Sequence, residues 1–142
     1  MRKSLPHHVP SWVKPGSQCF LTLCGATRGE NQFCHQEIAA KLFASVAHRQ
    51  RETIWFVRLL VLMPDHLHFL LSLPPDRALT PTIRLWKGYL ARQAGIRWQR
   101  DFFEHRLRND GMWEEKARYM RENPVRAGLV ADPKAWPYVW EP

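Results

Sequence analysis

Two histidines separated by one residue, His66 and His68, have the side-chain type and spacing that metal chemistry requires. Alternate residues of a β-strand point to the same face, so both imidazoles project from one face while Leu67 projects from the other. Two imidazoles one pleat apart can chelate a single ion, and burial of two histidines without partners is unfavourable. The alternative is an ordinary strand face that carries two histidines.

Tyr119 and Asn123 form a second pair, on the last predicted helix. Because they are four residues apart, the phenol and the amide share one helix face. Trp113, Ala117 and Met120 follow the spacing of a stripe that packs on the body of the protein. Tyr119 therefore points away from the main packing seam, where it is either a nucleophile or a packing residue.

The two pairs together predict a catalytic metal site. His66, His68 and the amide oxygen of Asn123 make a three-ligand set with open positions, as a catalytic metal requires. Nitrogen and oxygen ligands suit Mn²⁺ and Mg²⁺, and no thiolate favours zinc. A phenol with a pKa of about 10 is a poor nucleophile in water, but it becomes a usable one beside a metal that polarises a phosphate. The sequence thus predicts Tyr119 as the catalytic residue and a divalent metal, Mg²⁺ or Mn²⁺, as the cofactor.

The order of the predicted elements is strand, helix, strand, strand, helix, strand and a final helix. The predicted strands are 18–23, 53–63, 66–73 and 98–107, and the predicted helices are 35–49, 80–95 and 112–122. This order is the ferredoxin-like split β-α-β pattern. It predicts an α+β sandwich with a central antiparallel sheet and an additional C-terminal helix that carries the nucleophile.

Local signals set the expected boundaries. Thr80 is predicted to cap the second helix, with Pro81 in its first turn. Asn123 before Pro124 is predicted to stop the third helix, because a residue before proline avoids the helical conformation. We expect a single domain over 1–142, with an extended N-terminal arm over 1–17 and an irregular tail over 127–142.

Charge and cysteine content bear on partners and compartment. Twenty-one Lys and Arg against thirteen Asp and Glu give a net charge of +8, which suits a polyanionic partner, although a basic surface without a partner is equally consistent. Cys19, Cys24 and Cys34 form no C-x-x-C pair, which argues against a disulfide framework or a zinc knuckle. With no signal peptide and no apolar run of membrane-spanning length, we expect a cytoplasmic protein without membrane contact.

Three segments resemble the single-tyrosine HUH transposases of the insertion-sequence type and, among them, the REP-associated tyrosine transposases. They are 63–71, which contains both histidines, 103–108, and 118–130, which is followed by Trp136-Pro137-Tyr138. The helix around Lys87-Gly88-Tyr89 is also similar. Asp65 is a departure, because it stands where the family usually has asparagine. The resemblance covers most of the chain from about residue 18.

The resemblance implies a role for each matching residue. His66 and His68 would be the metal-ligand pair, with Asn123 as the third ligand. Tyr119 would attack the scissile phosphodiester of single-stranded DNA next to a hairpin repeat, leaving a 5′-phosphotyrosine link and a free 3′-hydroxyl. Tyr89 is the competing nucleophile, which we interpret as a packing or DNA-contact residue. Six arginines near aromatic residues are candidates for DNA binding: Arg92, Arg97, Arg100, Arg106, Arg108 and Arg126.

The resemblance further implies single-stranded or hairpin DNA as the partner and a monomer, with a domain-swapped dimer as the alternative. A domesticated protein that binds hairpin DNA without cleaving it would share the same fold and charge. An RNA-binding module of the RRM kind should carry a K/R-G-F-G-F-V-x-F strand, which this sequence lacks. A structural zinc protein would need cysteines at usable spacing, which are also missing.

Overall fold

The computed structural model describes residues 9–13 and 17–142, apart from the side chain of Asp110. Most of the predicted arm over 1–17 therefore lies outside the described residues. The strands are β1 (Gln18–Cys24), β2 (Phe56–Leu62), β3 (His66–Ser72), β4 (Phe103–Leu107) and β5 (Val139–Trp140). The helices are α1 (Gln36–Arg51), α2 (Leu79–Ala94) and α3 (Asp110–Arg126), and a 3-10 turn occupies Pro133–Ala135.

The five strands form one antiparallel sheet in the order β4-β1-β3-β2-β5. The predicted hairpin of β2 and β3 is confirmed, as are the α+β class and the single central sheet. In the register of β1 and β3, Thr22 lies opposite His68 and Cys24 lies opposite His66. Side chains of directly opposed residues project from the same face of the sheet. The register thus fixes which residues surround the two histidines.

The two faces of the sheet are covered by different helices. One face, with Leu21 and Phe69, packs against Val46 of α1 and Trp86 of α2 in the larger hydrophobic core. The opposite face packs against α3, where Met120 is fully buried in a second cluster. The predicted packing residues of α3 are confirmed there, and the cluster comprises Phe20, Leu59, Val61, Leu70, Leu107, Ala117 and Met120, with Trp113 packed against it.

The prediction that Pro124 stops the third helix is wrong, since α3 extends to Arg126 with Pro124 inside it. The helix also begins earlier than predicted, because the Asn109 side chain caps it by accepting a hydrogen bond from Met112 N at 3.0 Å. At the other end, Gly128 N donates to Val125 O and Leu129 N donates to Pro124 O. These two bonds form a Schellman motif, which satisfies the carbonyls of Pro124 and Val125. The last turn of α3 is therefore stabilised although Pro124 has no N–H to donate.

The fourth strand begins at Phe103 rather than Trp98, which makes only an isolated bridge to Gly25. Lys87, which is buried, explains the difference. Its ammonium donates hydrogen bonds to the carbonyls of Gln99 (2.8 Å) and Arg100 (3.2 Å), so these carbonyls are engaged by a side chain and not by a neighbouring strand. The intervening segment therefore wraps around Lys87 instead of extending the sheet.

Two smaller expectations are also corrected. Helix α2 begins at Leu79 with Ala78 as its N-cap residue, so Thr80 lies inside the first turn and does not cap it. The tail is not irregular throughout, because β5 extends the sheet at β2 and the Trp136 indole N–H donates to Leu62 O at 2.9 Å. The tail is thereby fixed to the sheet edge. In the part of the chain that the structure describes, no helix has the length and apolar character to cross a bilayer.

A candidate catalytic site between the sheet and the C-terminal helix

His66 and His68 are neighbours on the sheet face that α3 covers. Their ring centroids are 4.9 Å apart, and the ring planes are inclined by 77°. His68 is buried, with 5% of its surface exposed, and its ring stacks on Phe20 at 5.3 Å. His66 is partly exposed at the end of β3. One imidazole of the pair therefore lies in the protein interior, and the other lies partly exposed at the first residue of β3.

Each imidazole has one nitrogen engaged by a protein oxygen. His66 Nδ1 lies 2.8 Å from Asp65 Oδ1, and His68 Nδ1 lies 3.1 Å from Thr22 Oγ1. The other oxygen of Asp65 accepts a hydrogen bond from Gly29 N at 2.7 Å. The Asp65 carboxylate can only accept, so it keeps a proton on Nδ1 of His66 and directs Nε2 towards a ligand. The Thr22 hydroxyl can accept from Nδ1 of His68 in the same way, so Nε2 of His68 can also bind a ligand.

The protonation states suit ligand binding. Burial first, and then the electrostatic influence of the neighbouring His66, Arg126 and Lys116, lowers the pKa of His68 to about 3. His68 is therefore neutral at physiological pH and keeps a lone pair. Burial alone would raise the pKa of Asp65, but the hydrogen bonds from His66 and Gly29 outweigh it and hold that pKa below its usual value. Asp65 is thus an anionic partner for His66.

Tyr119 of α3 lies beside His68 and Phe20. Its ring centroid is 5.9 Å from that of His68 and 6.3 Å from that of Phe20, and 45% of the residue is exposed. The guanidinium of Arg126 lies 4.3 Å from the centre of the Tyr119 ring, and Lys116 Nζ lies 5.6 Å from it. Arg126 also donates to the Tyr119 carbonyl at 2.6 Å. A solvent-accessible phenol therefore lies between a buried imidazole and two cations.

Asn123 lies one helical turn beyond Tyr119 and is half-buried. Along α3, Lys116 contacts Phe20 and Tyr119 contacts His68, so the helix advances in the direction of the His66 end of β3. Within the described ranges, no three His, Cys, Asp or Glu side chains are grouped closely enough to hold a metal. A cation on the two imidazoles therefore needs a donor of another type, and the amide of Asn123 as that donor stays a prediction.

Tyr89, the competing nucleophile, lies on the other side of the sheet. It belongs to α2 and packs against the core cluster beneath α1 and α2. The Arg49 guanidinium lies 4.6 Å from the centre of its ring. The sheet separates this phenol from His66 and His68, so the packing interpretation fits its surroundings.

The six arginines predicted to bind DNA do not share one surface. Arg126 lies at the site, whereas Arg97 pairs with Glu30 in an exposed contact. Arg106 lies opposite Cys19 in the register, on the face beneath α1 and α2. The other three occupy α2, the segment before β4 and the residue after β4: Arg92, Arg100 and Arg108. DNA contact by these residues stays a prediction, and among the six only Arg126 lies beside Tyr119.

Two residues of the site were not predicted from the sequence. Thr22 bonds His68 across 46 residues of chain, and only the strand register reveals the pair. Lys116 lies three residues before Tyr119, so helical spacing alone would have placed it beside the phenol. Asp65 departs from the family pattern, and the sequence alone does not predict its contact with His66.

The sheet presents the His-x-His pair beneath α3, which carries Tyr119, so the motifs that resemble the single-tyrosine transposases lie together in space. Residues 17–121 match the family model described as "Transposase IS200 like". The match covers well over half of the chain, and the chain belongs to this family.

The relatives agree with the family assignment. The chain is 34% identical to the Haemophilus influenzae protein named "Putative REP-associated tyrosine transposase", over 54% of this chain and 53% of the relative. It is 31% identical to the "REP-associated tyrosine transposase" of Escherichia coli K12, over 55% and 49%. The chain thus spans about half the length of these curated relatives.

A solved structure described as a REP-associated tyrosine transposase bound to a REP hairpin has the same fold. Its TM-score is 0.75 at 24% identity, with 94% of this chain and 81% of that chain covered. At 24% identity, this similarity shows a shared fold and nothing more.

Proposed function

We propose that the protein is a metal-dependent endonuclease and transferase that cleaves and rejoins single-stranded DNA next to hairpin repeats through a 5′-phosphotyrosine intermediate. The observation that carries the proposal is the position of Tyr119, whose exposed ring lies 5.9 Å from that of the buried His68. The family assignment supports a transposase, and the two curated relatives carry the name REP-associated tyrosine transposase.

The residues present fit a divalent metal. His66 and His68 each have Nδ1 engaged by a protein oxygen, so two Nε2 atoms are available as ligands, with Asn123 as the proposed third donor. A nitrogen and oxygen set of this kind suits Mn²⁺ or Mg²⁺. When bound, such a cation would polarise the scissile phosphate and stabilise the charge that develops on it.

The chemical step uses the phenol of Tyr119. Its oxygen attacks the scissile phosphorus, and the bond from phosphorus to the 3′-oxygen breaks. The electron pair remains on the 3′-oxygen, which takes up a proton and becomes a 3′-hydroxyl, while the phenol proton passes to solvent. One phosphodiester replaces another and no water is consumed, so a 3′-hydroxyl can reverse the step and rejoin the strand.

The surroundings of Tyr119 suit a DNA strand. Lys116 and Arg126 place two positive charges around the phenol, where a phosphate would approach it. The net charge of +8 on the whole chain also favours a polyanionic partner. The structural relative contains a REP hairpin, which supports hairpin DNA as the partner. We propose that the protein acts as a monomer in the cytoplasm, where such DNA is accessible.

The test is covalent capture of labelled DNA. The purified protein is incubated with a library of labelled hairpin oligonucleotides, with Mn²⁺, with Mg²⁺ or with a chelator, and then denatured. We expect an adduct that requires metal and is lost in Tyr119→Phe. Tyr89→Phe is the matched control, because it removes the same hydroxyl on the opposite face of the sheet. An adduct that persists in Tyr119→Phe contradicts the assignment, and tight binding with no adduct under any metal supports the non-cleaving binder.

A further inference from the structure

An exposed aromatic ring lies on the edge strand β4, on the same side of the sheet as the candidate catalytic site. Phe103 has 60% of its surface exposed, although phenylalanine is among the side chains most often buried. In the register it lies opposite Thr22, which in turn lies opposite His68. Directly opposed side chains project from the same face of the sheet. The Phe103 ring therefore projects from the face that carries the two histidines.

A second ring, that of His105, follows two residues later on the same face of β4. His105 is exposed, and its partner in the register is Phe20. The Phe20 ring lies 6.3 Å from that of Tyr119, and Lys116 Nζ lies 4.8 Å from its centre. Phe20 is thus a common neighbour of His105, Lys116 and Tyr119, and it joins the exposed edge strand to the surroundings of the phenol.

The two lateral sides of the site differ in how far they are covered. On the β2 side, β5 pairs with β2, and Trp136 and Val139 of the tail pack against the second hydrophobic cluster. On the β4 side, the edge strand is exposed from Phe103 to Arg106. A strand of DNA that reaches Tyr119 therefore finds accessible surface over β4, whereas the tail occupies the β2 side.

An exposed aromatic ring close to cations suits single-stranded nucleic acid. Bases of any sequence stack on aromatic side chains because every base has a π face, while neighbouring cations attract the phosphates. Lys116 and Arg126 supply such cations beside Tyr119. In the described part of the chain, the other apolar side chain of comparable exposure is Leu85 on α2. Phe103 therefore does not belong to a broad apolar patch of the kind that binds a protein partner.

We infer that Phe103, with His105 beside it, forms a platform on which bases of the single-stranded DNA stack as the strand passes over β4. The Cα atoms of Phe103 and His68 are two strand spacings apart, on the order of 10 Å, so the platform lies close to the scissile phosphate. The inference rests on the proposed function for its substrate and adds a binding surface to it. Because stacking accepts any base, the platform holds the strand without reading its sequence.

The experiment compares flanking nucleotides with and without bases. Two fluorescently labelled hairpin oligonucleotides share one stem, and their single-stranded flanks on both sides are thymidines in one and abasic deoxyribose phosphates in the other. Fluorescence anisotropy measures the affinity of the full chain for each, with a chelator present so that no strand is cleaved. We expect tighter binding of the thymidine flanks. Phe103→Ala should reduce that preference by roughly fivefold or more, the lower end of the contribution of one stacked base.

Further variants separate stacking from apolar bulk. Phe103→Tyr keeps a flat aromatic ring and should keep the preference for thymidine flanks. Phe103→Leu keeps an apolar side chain without a π face and should lose most of the preference. His105→Ala should lower it as well. Leu85→Ala is the matched control, because it removes another exposed apolar side chain from α2, and its preference should equal that of the unmodified chain.

Equal affinity of the unmodified chain for thymidine and abasic flanks overturns the inference, and so does a full preference in Phe103→Ala or Phe103→Leu. An unchanged preference in His105→Ala overturns the part assigned to His105. Covalent capture of DNA is measured separately, so the two proposals fail in different ways. A preference that depends on Phe103 without any adduct supports the platform and contradicts the proposed chemistry. An adduct without the preference supports the chemistry and contradicts the platform.

Discussion

The Nδ1 atom of His66 lies 2.8 Å from Oδ1 of Asp65. Asp65 stands at a position where the family motif usually has asparagine. The carboxylate also accepts a hydrogen bond from Gly29 N, so a loop fixes the group that orients the imidazole. A carboxylate behind a histidine raises its basicity as a ligand more than an amide does. The carboxylate at this position is therefore compatible with the metal site that we propose.

Asp65→Ala should weaken Mn²⁺ binding by roughly tenfold to a hundredfold, the usual effect of removing such a partner. Asp65→Asn should have a smaller effect, because the amide oxygen can still accept from Nδ1 while the charge is lost. Binding can be followed directly by Mn²⁺ electron paramagnetic resonance in the absence of DNA. Asp76→Asn is the control, since Asp76 is exposed outside the site. Equal Mn²⁺ affinity in the unmodified chain, Asp65→Ala and Asp65→Asn would contradict a role of Asp65 in positioning His66.

Thr22→Val should lower the free energy of unfolding by about 1 kcal/mol, the typical net contribution of a hydrogen bond. The substitution keeps the shape and removes the hydroxyl that bonds His68 Nδ1, a buried group. Urea unfolding monitored by circular dichroism measures the change. Thr80→Val, at an exposed position of α2, should stay within about 0.5 kcal/mol. A Thr22 variant as stable as that control would show that the bond contributes nothing.

Lys87→Met should destabilise the fold by about 1–3 kcal/mol, because the carbonyls of Gln99 and Arg100 lose their charged donor in a partly buried setting. Lys41→Met provides the comparison, since Lys41 bonds the Gln93 carbonyl at an exposed position and should have a much smaller effect. Thermal unfolding of both variants measures the difference. Equal losses in the two variants would mean that burial of the Lys87 ammonium is unimportant.

Two glycine substitutions should change the free energy of unfolding in opposite directions. Gly128 has a φ of 76° after the end of α3, a conformation that alanine adopts poorly, so Gly128→Ala should destabilise by about 1 kcal/mol. Gly88 lies inside α2, where a Cβ would meet the movable end of Arg92 at 3.4 Å. Gly88→Ala should therefore stabilise by about 0.5–1 kcal/mol. Chemical unfolding of the two variants tests the signs, and a shared sign would contradict the account.

The sequence predicted the fold class and the elements that carry the site, because periodicity and turn residues report on local structure. It placed His66 and His68 on one strand face, as the structure has them. It also placed Tyr119 off the packing stripe of α3, and the ring is partly exposed but also contacts His68 and Phe20 on the sheet. It could not predict that Thr22 bonds His68, because strand register between distant segments depends on tertiary packing.

The errors in α3 and β4 have different origins. The effect of Pro124 depends on whether other bonds secure the helix end, and here Gly128 and Leu129 provide them. The position at which β4 begins depends on Lys87, which belongs to another element. The Lys87 contact joins two separate elements and leaves no local signal, whereas Gly128 is a local signal for the helix end that the sequence already contains.

We predict that Tyr119 becomes covalently joined to DNA. The most direct measurement is tandem mass spectrometry of the protein after reaction with the labelled hairpin library and Mn²⁺, followed by nuclease and protease digestion. We expect a nucleotide remnant that is linked through its 5′-phosphate to the phenol of Tyr119 and is absent when the metal is chelated. A remnant on Tyr89 or on any other side chain, or an intact and unmodified Tyr119 peptide in a reaction that has cleaved the DNA, would contradict it.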